Sequence, residues 1–392
     1  MLFLILLHFV WYAVEIFNID SISLLPALAA TKIYIFPFFL LVMFRQNENN
    51  FNQATIQRVG TLIIFIVILE CLLSLYQLQG IERHMLMISP HYEKALRGIF
   101  VLDKFRPFGT TYLPGVVSVY LFLSTGFIFL RPKYSKKYVV LIASVIALVF
   151  LTLLVCQVRS AMIKFALILA STIFTLLVNT EKRSGKLLRI LAIILVLTPI
   201  SLIYFSDRLQ QAENTYINLD AGMQRWEGVE SVSDLRKHRI DPFTAFEVAI
   251  KQLDKHPIGV GPGSTGAVGT IILDKLLTDP VYTQDQFWAY DNFYLSMLIE
   301  FGYGAIFYLL FIFCFPVILF RRYLSLYRSR NFVEARFVML SLFHTIIILM
   351  GNWGAIGLPY NPESFFFWLW VAIGLNTHSL AKKAQLESEA TA

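Results

Sequence analysis

Long apolar runs separated by short polar, often basic breaks set the rhythm of this chain. Such runs occupy 1–18, 22–44, 59–78, 113–130, 138–156, 161–178, 187–205, 292–319, 337–351 and 362–380. A helix needs about 20 apolar residues to cross the hydrocarbon of a bilayer, and it must satisfy its backbone polar groups internally. The pattern therefore predicts an all-α fold, a polytopic transmembrane helical bundle of about ten spans. Met1–Val10 is apolar enough for the core of a signal peptide. It lacks a basic flank and a small-residue cleavage site, so a retained first helix is expected.

Two stretches interrupt the rhythm, 79–112 and 206–291. They divide the chain into 1–205 (helices one to seven, including the polar segment 79–112), 206–291 (a large loop) and 292–392 (helices eight to ten and a tail). A loop as long as 206–291 is usually functional or disordered, and its aromatics, Trp226, Phe243, Phe246 and Trp288 among them, argue for order. Within it, DPFTAFEVAIKQLDKH reads as a helix, with Asp241 as cap and Pro242 at the first helical position. His256-Pro257 should stop that helix, and the glycines that follow should turn the chain back. HYEKALRGIF, in 79–112, has the apolar spacing of an interfacial helix. The terminal LESEATA reads as a frayed, solvated end.

Composition agrees with this reading. Residues are 57% hydrophobic and 15% charged, against about 45–50% and about 25% in soluble domains. The short breaks collect basic residues: Arg131, Lys133, Lys136 and Lys137; Lys182, Arg183, Lys186 and Arg189; Arg321, Arg322, Arg328, Arg330 and Arg336. Under the positive-inside rule these face the cytoplasm, which puts both termini inside and the two longer segments outside. The net charge of +7 is then a topology signal, and nucleic acid is not an expected partner. Cys71, Cys156 and Cys314 each lie in an apolar run with no metal-ligand or redox spacing.

Gly261-Pro262-Gly263-Ser264-Thr265-Gly266 is a literal G-x-G-x-x-G. A dinucleotide fingerprint requires a strand before it and a helix after it. Here a helical pattern precedes it, and Pro262 removes a backbone N–H where a phosphate would want one. A helix stop and tight return is the favoured reading, compatible with a small anion nest.

The candidate chemistry lies at the ends of spans. Arg106 begins RPFGTTYLPG, which leads into the fourth run; alone it could be an arginine snorkelling to headgroups. Arg159, in VCQVRSAMIKF, joins two runs with almost no loop around it, a costly place for a charge. Lys164 follows five residues into the next span and either extends a positive site or snorkels. Asp291, where the long loop returns to the membrane, is either a helix N-cap or a carboxylate that deprotonates a hydroxyl. Asn292 follows it, and Glu300, nine residues on, should be buried and in need of a partner. Arginine forks match phosphate oxygens, and aromatic faces suit sugar rings, so the set fits a diphosphate carrying a glycan.

RPFGTTYLPGVVSVYL, QVRSAMIKFALIL, AFEVAIKQLDKHPIGVGPG and DNFYLSMLIEFGYG, in this order around the long loop, together resemble motifs of the O-antigen polymerase and O-antigen ligase superfamily. These are bacterial inner-membrane glycosyltransferases, and the resemblance covers most of the chain from residue 106 onward. Two positions depart from the pattern. Asp291 stands where the ligase motif has His, and Pro242 stands four residues before Phe246, where the family carries Arg, so Arg239 or Arg236 would have to substitute. The resemblance implies transfer of a growing glycan from polyprenyl diphosphate to a sugar hydroxyl on a second lipid-linked repeat. The implied roles put Arg159 and Arg239 or Arg236 on the diphosphate, with Arg106, Lys164 and His256 supporting. Asp291 would be the general base, and Asn292 would orient the acceptor or the loop. The leaving diphosphate already carries its charge, so arginines can stabilise it without a cofactor or metal. Implied partners are the lipid-linked donor and acceptor, the bilayer, a flippase and chain-length regulators. A ligase acting on lipid A core or protein, and a flippase or other transporter, are the competing classes. No internal repeat of the transporter kind is evident.

Overall fold

The computed structural model describes residues 2–18, 24–46, 53–77, 100–101, 104–111, 114–131, 135–156, 158–178, 250–251, 253–264, 292–353 and 362–391. Its elements are α1 (Leu2–Ile16), α2 (Leu24–Tyr34), α3 (Phe36–Gln46), α4 (Gln53–Gln77), β1 (Phe100–Val101), β2 (Lys104–Phe105), α5 (Pro114–Thr125), α6 (Lys136–Cys156), α7 (Arg159–Val178), α8 (Phe293–Phe301), α9 (Ala305–Arg328), α10 (Phe332–Gly351) and α11 (Glu363–Thr391). The fold is mostly helical; β1 and β2 form one two-residue antiparallel pair, with Phe100 opposite Phe105.

Among the described residues, five helical stretches are long and apolar enough to cross a membrane: Gln53–Gln77, Lys136–Cys156, Ser160–Val178, Phe293–Arg328 and Phe332–Gly351. Phe3–Ile16 and Pro114–Phe129 are shorter apolar helices. The expected span at 187–205 lies outside the described residues, as do 91–99 of the expected interfacial helix.

Several elements differ from the sequence expectation. The run 22–44 is two helices of 11 residues each, α2 and α3, with a turn at Ile35. Pro37 has no N–H to donate and crowds the carbonyl four residues back, so Phe38 N–H bonds instead to the Ile35 carbonyl at 3.1 Å. The basic segment expected as a loop around 320–336 is mostly helix, because α9 runs through Arg328 and α10 begins at Phe332. Arg330 turns the chain with φ 60°, and Asn331 N–H reaches the Leu326 carbonyl at 3.0 Å. That is the six-to-one bond that closes a helix on a left-handed residue. Nor does the tail fray at LESEATA, since α11 continues helical to Thr391.

By internal packing the chain divides into two compact units. Unit 1 is Met1–Asn47, Glu230–Arg321 and Thr345–Ala372; unit 2 is Glu48–Val229, Arg322–His344 and Ile373–Ala392. In unit 1 the rings of Phe38, Phe311 and Phe315 pack around Trp368 at centroid distances of 5.7, 6.0 and 5.7 Å. Such tilted and edge-on contacts are the geometry aromatic quadrupoles favour.

In unit 2, α4 turns large apolar side chains outward and buries polar ones among apolar neighbours such as Ile63, Ile64 and Val67. Leu62, Phe65, Leu69 and Leu72 are exposed, while Glu70, Ser74 and Gln77 are buried. A helix in water would invert that pattern; a helix in lipid must turn its polar groups inward. On α9, Ile306, Leu310, Phe313, Val317 and Phe320 form a comparable exposed apolar stripe.

Candidate functional site

Each unit holds a polar assembly at helix ends. In unit 2 it is built on RPFGTT, directly after β2. Arg106 is buried, and its Nε donates to the carbonyl of Cys156, the last residue of α6, at 2.9 Å. Carbonyls at a helix C-terminus have no intrahelical donor, and a cation there also complements the helix dipole. Arg106 is thus turned into the protein, which corrects the snorkelling alternative.

Two side chains of α4 hold the rest of this loop. Gln77 donates to the Gly109 carbonyl at 2.7 Å and accepts from the Phe108 and Gly109 N–H groups, both at 3.0 Å. Glu70 accepts from the Thr110 N–H at 3.0 Å and from the Thr110 hydroxyl. Gly109 sits flush on this face with φ 60°, where a Cβ would collide with the Glu70 carboxylate. Finally, the Cys156 thiol donates to the Pro107 carbonyl at 3.4 Å.

The tight connection expected around Arg159 is present. α6 ends at Cys156 and α7 begins with Arg159, three residues later. The Val158 carbonyl closes the first turn by accepting from Ala161 N–H at 3.1 Å and Met162 N–H at 3.2 Å. An arginine at the positive end of a helix dipole is unfavourable without an anion to offset it. Lys164 is half-buried, with Nζ 5.5 Å from the ring centroid of the buried Phe122, a cation–π contact within unit 2.

In unit 1 the glycine return is now legible. Helical backbone at 253–255 stops at His256-Pro257, as expected. Gly259, Gly261 and Gly263 then take φ of 113°, 92° and 75°, values that only glycine reaches without strain. The loop they form docks on the C-terminal end of α8: Val260 N–H donates to the Ile299 carbonyl at 3.0 Å and Gly261 N–H to the Glu300 carbonyl at 3.1 Å. Gly263 N–H donates to a Glu300 carboxylate oxygen at 2.9 Å. Glu300 is buried as expected, and the anion in this small nest is its own carboxylate. A helix precedes the G-x-G-x-x-G, and the Gly261 and Gly263 N–H groups are taken up by α8, which favours the structural return over a dinucleotide site.

Gly259 and Gly302 interlock. A Cβ on Gly259 would strike the Glu300 carbonyl, and one on Gly302 would strike the Pro257 carbonyl. Gly259→Ala and Gly302→Ala should each cost at least about 1–2 kcal/mol from left-handed backbone alone, with the collision added. Melting curves of the solubilised protein should fall for both. Unchanged stability in either variant would mean that the return is not the α8 clamp described.

The helix N-cap is also reassigned. Asn292 caps α8, its Oδ1 accepting from Tyr294 N–H at 3.0 Å and Leu295 N–H at 3.2 Å. It is buried, and Phe293 N–H donates to the Asn352 carbonyl at 3.1 Å. The capping alternative for Asp291 is therefore replaced by Asn292. Asn292 is in turn a structural cap, in keeping with the alternative that it orients the loop and a simpler role than orienting an acceptor. His256 is half-buried at the helix stop. Arg236, Arg239 and Asp291 lie outside the described residues, as does the side chain of Arg159.

Sequence reasoning missed Glu70 and Gln77. Their signal was available: with Ser74 they are polar positions at i, i+4 and i+7 of an otherwise apolar run, one face of a helix.

The chain matches no known family model and no curated protein.

Proposed function

We propose that the protein is an integral-membrane glycosyltransferase that polymerises polyprenyl-diphosphate-linked oligosaccharide repeats into a bacterial surface polysaccharide. The observation that carries this reading is the α6–α7 junction. It is short and braced by buried polar contacts, and it opens a membrane helix on an arginine that calls for an anion. A diphosphate at the membrane surface is an anion of suitable charge and shape for an arginine fork.

In the proposed step the acceptor hydroxyl oxygen bonds to the anomeric carbon of the donor glycan. The bond from that carbon to the diphosphate breaks, and the diphosphate leaves with the electron pair. Arg159, aided by Arg239 or Arg236, stabilises the leaving charge. Asp291 takes the hydroxyl proton. The reading places the protein in the inner membrane with both termini cytoplasmic and the chemistry on the outer face.

Deleting the gene tests the reaction class. Surface lipid capped by a single repeat supports a polymerase, whereas accumulated long lipid-linked glycan supports a ligase. Orientation has its own test. Cysteines introduced at Tyr134, Arg183 and Tyr327 should resist an impermeant thiol reagent in intact cells, and cysteines at Glu93 and Ser233 should react. Labelling at 183 from outside would reverse the topology on which the assignment depends.

A further inference from the structure

We propose that Arg106 is a positioning residue: braced by Glu70 and Gln77, it fixes the α6–α7 junction that carries Arg159 and does not itself bind the substrate. This inference rests on the reading of Arg159 as the anion-binding arginine. Three observations point to it. Arg106 is buried, and its Nε is committed to the Cys156 carbonyl, three residues before Arg159 opens α7. The loop behind it is held at Phe108, Gly109 and Thr110 by Gln77 and Glu70, side chains from a different span. Cys156 returns a bond to Pro107, so both partners of the Arg106 contact are tied together.

An amide and a carboxyl group buried in a membrane helix are unfavourable unless each is hydrogen-bonded. Here their hydrogen bonds converge on one short loop, which is bonded to the end of α6 through Arg106 and Pro107. A shift in the loop therefore moves the Cys156 carbonyl, and with it the start of α7. Displacements of about 1 Å remote from a reacting centre can cost on the order of a hundredfold in rate.

The test is a double-mutant cycle on the full chain in detergent, reading inorganic pyrophosphate affinity by calorimetry. Arg106→Met and Gln77→Met should each weaken binding roughly tenfold in the native background and less than about twofold beside Arg159→Ala, because residues acting through one network are not additive. Arg106→Lys keeps a donor for the Cys156 carbonyl and should retain most of the affinity, whereas a fork that grips phosphate directly would not survive that change. Gln77→Met leaves Arg106 itself in place, so the cycle can be completed even where Arg106→Met folds poorly. Losses that add across the cycle, an Arg106→Lys as weak as Arg106→Met, or a native protein that does not bind pyrophosphate would each overturn the inference. Failure of the polymerase reading would show separately, as absence of glycan elongation by the native protein.

Discussion

Asp291→Asn should give a protein that inserts and melts like the native one but extends glycan about 10² to 10⁴ times more slowly, the usual loss when a general base is removed. The prediction is sharper than the sequence alone allowed. Had Asp291 been the cap of α8, asparagine would have replaced it with little change and alanine would have destabilised the helix. The cap is Asn292, so Asp291→Ala should also be folded and inactive. Asn292→Ala provides the contrast: it should lower stability by about 0.5–2 kcal/mol and leave per-molecule activity nearly intact. Glycan length on gels, read beside melting curves of the solubilised variants, separates these outcomes. A stable, fully active Asp291→Asn would remove that residue from the mechanism.

The membrane helices were legible because lipid imposes one demand on every span, an apolar run of sufficient length. α4, α6, α7 and α10 accordingly begin and end within several residues of their runs. The reading failed where a local rule outweighed hydropathy. Pro37 splits the second run although its neighbours are apolar. RRYLSLYR stays helical although it is basic, because arginine and leucine are good helix formers and the stop is written only at Arg330.

At the candidate sites, burial of Glu300 was readable from its place in an apolar run. Its partner was not, since that partner is a backbone N–H 37 residues earlier in the chain. The direction of Arg106 was equally hidden, because spacing fixes where a side chain starts and not where it points. Gln77 bonds to a loop 31 and 32 residues away, a pairing that only tertiary packing supplies.

Arg159→Lys carries the second large expected effect. Lysine keeps the charge and the helix, so membrane insertion and melting should match the native protein. It loses the planar fork that meets two phosphate oxygens at once. Removing one preorganised contact to developing charge typically costs about 10² to 10³ in rate, and a lysine that supplies part of that contact should fall toward the lower end. The loss should appear in the rate of transfer more than in apparent acceptor affinity, because the proposed step makes the diphosphate the leaving group. Equal activity of Arg159→Lys would mean that a point charge suffices and that the junction binds headgroups or nothing at all.

The central claim is elongation of a lipid-linked glycan, and purified protein in proteoliposomes tests it most directly. Supplied only with a polyprenyl-diphosphate-linked repeat, the protein should produce lipid-linked chains of two, three and more repeats and release one polyprenyl diphosphate per bond formed. Movement of the intact lipid-linked repeat across the bilayer with no new glycosidic bond would contradict the account and make the protein a transporter.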